Sequence, residues 1–185
     1  MVQENTSASF LGGAKMELRT EGARELYAYW DKLRTGRALP RATEVDLVDL
    51  APILPNVMIY AATDDDDFRF RFFGTGLVRA VGADLTGLRI TDIMDNPDAA
   101  ESINIFTQIL TRPLAAVNLY QATAHEGGDY ESEHVLLPLG DKNGVGIEIL
   151  CHAKRVSASG DSKTFEAGSF SGLKIIHQQV MELGQ

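Results

Sequence analysis

The side chains of this sequence that could carry out chemistry are few, and their spacing argues against a catalytic role for each. The histidines, His125, His134, His152 and His177, fall in the last third of the chain, with no nucleophile or carboxylate at a spacing that marks a hydrolytic triad. The single cysteine, Cys151, lacks a recognisable catalytic context and has no second thiol to pair with. It alternates with Ile147 and Ile149 along an apolar strand, which predicts a buried structural thiol and turns His152 to the other face. No Cys and His spacing suits zinc, so no metal site is expected. Asp64, Asp65, Asp66 and Asp67 are contiguous, whereas a calcium loop alternates its ligands so that carboxylates converge. They predict a solvated hairpin turn. The run GTGLVRAVG from Gly74 to Gly82 fails as a dinucleotide loop, because Arg79 stands where the third glycine is needed and no βαβ unit surrounds it. No catalytic residue is assigned, and the chain is expected not to be an enzyme.

What remains is binding. Phe68, Phe70 and Phe72 share one strand face, Asn118 and Tyr120 another, and Tyr130, Ser132, His134 and Leu136 a third. If these faces point inward, they give the aromatic lining with a few polar groups that small-molecule sites use. The candidate ligand residues are Phe70, Phe72, Asn118, Tyr120 and His134. Alternation leaves the inward face open where both look mixed, and a filled core is the alternative.

The elements that must position these residues read as follows. Residues 1–20 are Ser, Gly, Asn and Thr-rich and read as a disordered terminal segment. EGARELYAYWDKLRTG predicts an amphipathic helix with Leu26, Tyr27, Trp30 and Leu33 on its apolar side, ended by Gly36. Pro40, Pro52 and Pro55 then break the chain into short turns. Val57 to Thr63 and Phe68 to Gly74 predict a β-hairpin, and the stretch to Pro113 predicts several short helices. Three further strands form a meander, the last of them, Val145 to Lys154, being apolar and free of proline as a central strand should be. Residues 156–172 read as a Ser and Gly-rich linker. Residues 173–185 read as a C-terminal amphipathic helix with Leu173, Ile176, Val180 and Leu183 on one stripe.

Composition narrows the partners. The net charge of −9 leaves no basic cluster for phosphate backbones or anionic lipid, which excludes nucleic acid and a membrane surface as partners. There is no signal peptide and no apolar run long enough to span a bilayer, so a cytoplasmic location is expected.

Several segments together resemble a family of mostly stand-alone PAS domains from alphaproteobacteria. They are Tyr29-Trp30 with Leu33, Leu39-Pro40-Arg41, Leu54-Pro55-Asn56, Phe70 to Thr75, Asp84-Leu85-Thr86-Gly87 and Leu136 to Leu139. The proline that often follows the acidic residue after the Pro-Arg segment is absent, Asp46 being followed by Leu47. The resemblance implies an α+β fold: a five-stranded antiparallel sheet with short helices on one face, flanked by N- and C-terminal helices, over residues 21–155. It implies a sensory or adaptor role in bacterial signal transduction through a small ligand, a protein partner, or both. Two other readings stand beside it: a small-molecule enzyme of cone-like α+β fold, and a purely structural interaction module.

No flavin or haem is expected, since related domains take a cysteine or an axial histidine from the helical middle segment, and residues 56–113 contain neither. PAS domains often pair through flanking helices, so a homodimer is expected with Leu26, Tyr27, Trp30 and Leu33 at its interface.

Overall fold

The computed structural model describes residues 16–123, 129–158 and 174–183. Helix α1 (Glu21–Arg34) opens on Thr20, whose hydroxyl accepts the Ala23 amide at 3.3 Å, and closes on Thr35 and Gly36, both at positive φ. Two 3-10 turns, Ala42–Glu44 and Leu54–Asn56, carry the proline-broken stretch to strand β1 (Val57–Ala62). Then follow β2 (Phe68–Phe73), the helices α2 (Thr75–Val81), α3 (Ile90–Ile93) and α4 (Asn96–Thr111), and strands β3 (Leu114–Thr123), β4 (Asp129–Gly140), β5 (Gly146–Ala158) and β6 (Lys174–Glu182). The antiparallel sheet has the order β2-β1-β5-β4-β3-β6, so the apolar last strand of the meander is central, as expected.

The sheet has six strands rather than five, because the C-terminal segment is a strand and not the expected helix. β6 pairs antiparallel with β3, with Ala116 opposite Val180 and Asn118 opposite Gln178. The helical stripe was an artefact of a bulge. Leu119 faces His177 while the next residue, Tyr120, faces Ile175, leaving Ile176 extra and partly exposed. A segment this short is a marginal helix in water, whereas the open edge of β3 offers a full ladder of hydrogen bonds to its β-branched residues.

The sheet is covered on both faces. The helices α2, α3 and α4 take one face as expected, although α4 is longer than α1, and α1 lies across the other. There Leu26 and Trp30 are fully buried in one cluster with Ile59, Leu137, Leu139 and Leu150, and Trp30 donates its indole N–H to the Pro138 carbonyl at 2.8 Å. This corrects the expected dimer interface. Leu26 and Trp30 belong to the core, while Tyr27 and Leu33 are half-buried at its margin, Tyr27 directing its hydroxyl to the Met181 sulfur.

The start of the chain needs a similar correction from Met16 onward. The carboxylate of Glu133, buried on β4, accepts the amides of Arg19 at 2.6 Å and Thr20 at 3.0 Å and the Thr20 hydroxyl at 2.7 Å. Residues 16–20 are therefore tied to the sheet, and Met16 is buried with the α1 cluster. Just beyond, a Cβ at Gly22 would lie 2.3 Å from His152 Nε2, so any larger residue there requires the buried imidazole to shift.

A cavity between the sheet and the short helices

The residues that face α2, α3 and α4 are chosen by bulges as much as by alternation. On β2, Phe72 pairs with Ile59 and Phe70 with Tyr60, so Arg71 is an extra residue and reaches outward to Glu148 at 2.8 Å. Phe68 and Phe70 therefore face the short helices, while Phe72 packs with the α1 cluster. Phe72 is thus not a cavity residue, and Phe73, which the alternation missed, takes its place.

The space between the sheet and these helices is a partly open cavity of about 540 Å³, in the range that small-molecule sites occupy. Tyr60, Phe70 and Phe106 form one wall, with Tyr60 4.8 Å from Phe70 and 4.5 Å from Phe106, ring centre to ring centre. Tyr120, Ser132 and His134 form the polar part of the sheet wall. Ser132 Oγ lies 3.1 Å from His134 Nε2, and the His134 ring lies 4.5 Å from that of Tyr120. Asn118 is fully buried behind them. Its amide nitrogen donates to the Tyr120 hydroxyl at 3.2 Å, and its oxygen accepts from the Gln178 amide of β6 at 2.9 Å.

Of the candidate ligand residues, Phe70, Tyr120 and His134 line the cavity, Asn118 braces Tyr120 from behind, and Phe72 lies on the opposite face. Sequence reasoning missed Tyr60, Phe106 and the β6 residues Ile175 and Gln178. The last two were hidden by the helical reading of their segment.

Burial sets the electrostatics. It holds the His134 imidazole down to about 4, with neighbouring His152 adding to the effect, and it pushes the Tyr120 phenol up to about 12 against the opposing hydrogen bond from Asn118. Both are uncharged near neutrality. The charged side chains on the lining, Arg79, Glu101, Lys154 and Arg155, are solvent-exposed, and Asp98 is half-buried. Arg155 lies over the Tyr130 ring at 4.7 Å.

Ser132 and His134 are within reach of one another, but a histidine held near 4 is a poor general base at neutral pH, and no carboxylate is among the causes of its shift. Cys151 is fully buried among the apolar residues of this face, its thiol raised by desolvation, with His152 on the other face. Among the described residues, no three His, Cys, Asp or Glu side chains are grouped to hold a metal ion.

The acidic turn is only partly solvated. Asp67 is buried, accepting the Phe68 amide at 2.6 Å and the Thr91 hydroxyl at 2.7 Å, and Asp65 pairs with Arg89. Two of the four aspartates thus tie the hairpin to the α3 region.

The class is α+β: an antiparallel sheet with the helices α2, α3 and α4 on one face and a cavity of ligand size between. The profile of the PAS domain family matches residues 18–152, and the chain belongs to that family. This removes the cone-like alternative. Among solved structures the chain is similar to a light-oxygen-voltage domain studied with a flavin analogue, at 18% identity and a TM-score of 0.47, over 63% of this chain and 88% of that one. It is also similar to the light state of the blue-light photoreceptor Aureochrome1 LOV, at 17% identity and a TM-score of 0.42, over 58% and 86%. No curated protein matches the sequence. No described helix is long and apolar enough to cross a membrane.

Proposed function

We propose that this PAS domain is a sensory or adaptor unit of bacterial cytoplasmic signalling that holds a small molecule in the cavity and acts by contact with a protein partner. The observation that carries this reading is the cavity itself, large enough for a ligand and lined by aromatic side chains with a few convergent polar groups. Binding rather than catalysis is supported by the weak basicity of His134. A colourless ligand is part of the proposal, since the cavity lining includes no cysteine for a flavin adduct. Pairing through Leu26 and Trp30 is not, because both side chains are used inside the fold.

Native mass spectrometry of the purified chain, compared with the denatured chain and read beside its absorbance spectrum, tests the reading. The expected result is a small-molecule mass lost on denaturation, without absorbance beyond the protein envelope. A visible chromophore would remove the colourless ligand. Absence of any bound mass, together with no saturable binding of apolar probes, would remove the cavity as a site.

A further inference from the structure

The polar groups of the cavity are sorted by depth. The sheet wall presents Tyr120, Ser132 and His134, none of which carries a charge near neutrality. The formal charges on the lining are exposed at Arg79, Glu101, Lys154 and Arg155 and half-buried at Asp98, and the two signs partly offset one another. A ligand charge carried into the interior would lose its water and find no opposite charge there, and the mixed signs outside offer little net attraction to an ion of either sign.

Each polar group of the wall has a partner within the protein. Ser132 and His134 are bonded to one another. The Tyr120 hydroxyl is bonded to Asn118, and a hydroxyl has capacity for a further bond. Asn118 is held in turn by Gln178, so of the three polar groups on this wall Tyr120 is the one braced from behind by a second strand.

We propose that the cavity selects an uncharged, mainly apolar ligand whose single hydroxyl or carbonyl group hydrogen-bonds Tyr120, with Asn118 and Gln178 as positioning residues. This rests on the reading that the cavity holds a small molecule. It also assigns a role to β6, which supplies Gln178 and brings Ile175 to the cavity lining. The ligand-reading tyrosine is thereby braced by the last strand of the domain.

Calorimetric titration of the full chain at pH 7 with biphenyl, para-hydroxybiphenyl, biphenyl carboxylate and biphenylmethylammonium tests it. The hydroxy compound should bind about tenfold more tightly than biphenyl, as one added hydrogen bond in a dry site predicts, and both ions should bind more weakly than biphenyl. Tyr120→Phe should bring hydroxybiphenyl to the affinity that the same variant shows for biphenyl. Gln178→Leu should reduce the preference without abolishing biphenyl binding. An ion that binds as tightly as hydroxybiphenyl overturns the inference while leaving the binding site intact, and this comparison uses the wild-type chain alone. A preference that survives Tyr120→Phe overturns it too. If none of the four probes binds, the underlying reading of the cavity fails, and the inference fails with it.

Discussion

On the α1 face of the sheet, Trp30 and Leu26 fill the space over Ile59, Leu137 and Leu150. On the other face, the short helices leave about 540 Å³ between themselves and the same strands. The side chains account for the difference. α1 is a single amphipathic helix whose largest residue points straight at the sheet and satisfies its N–H on the Pro138 carbonyl. The opposite roof is divided among three helices, α2, α3 and α4, and small residues, Gly76, Ala80, Ser102 and Ala153, occupy the cavity lining between the aromatic ones. One face is filled and the other is left open, and the open face is where the polar groups Tyr120, Ser132 and His134 are found.

The largest expected effect lies on the filled face. Trp30→Ala should cost about 3–5 kcal/mol in denaturant unfolding, since it removes a fully buried indole and strands the Pro138 carbonyl, and Trp30→Glu should leave the chain unfolded. A folded variant with altered association would instead place this side chain at an interface.

The next effect involves one histidine from each face. His134 and His152 are both held near 4 in the fold, burial being the main cause, against an ordinary value near 6.5. As pH falls, the unfolded chain binds these protons first. The histidine contribution to stability should therefore be full above about 6.5 and be lost as pH drops from there to about 4, by up to about 3 kcal/mol per histidine. Equilibrium unfolding at a series of pH values measures the slope, and histidine NMR titration assigns it. A flat profile between these limits would mean that both rings are hydrated.

Smaller effects separate the faces most sharply. Ala115 lies on the α1 face and Ala153 on the cavity face, and both are buried. Ala115→Leu should cost about 1–3 kcal/mol by overpacking a filled region. Ala153→Leu has empty space to enter, so its cost should stay below about 1 kcal/mol. Chemical denaturation of the two variants side by side gives the comparison, and equal costs would mean that the cavity does not exist in solution.

Much of this architecture was legible in the sequence. Proline breaks, a helix ending at glycine and runs of alternating strand residues carried the element order as far as β5. Alternation also placed Tyr130, Ser132 and His134 together on the face that lines the cavity. What could not be read were the bulges. Arg71 turns Phe72 away from the cavity and brings Phe73 in, and Ile176 disguises a strand as a helix. Each is a one-residue register shift set by strand pairing, which no local pattern encodes. The burial of Leu26 and Trp30 was hidden for a related reason: an apolar stripe shows that a helix is covered, not whether its own sheet or a second copy covers it. Asp67 looked solvated because its partners, the Phe68 amide and the Thr91 hydroxyl, meet it only in the folded hairpin.

The contrast between a filled face and an open one is tested most directly by thermal unfolding of the wild-type chain, Ala115→Leu and Ala153→Leu, each with and without para-hydroxybiphenyl. The account predicts that the probe raises the melting temperature of the wild type and of the destabilised Ala115→Leu by the same amount, while Ala153→Leu, with the cavity occupied by its own side chain, shows no shift. A shift in Ala153→Leu equal to that of the wild type would place the probe elsewhere and contradict the assignment of this cavity as the site.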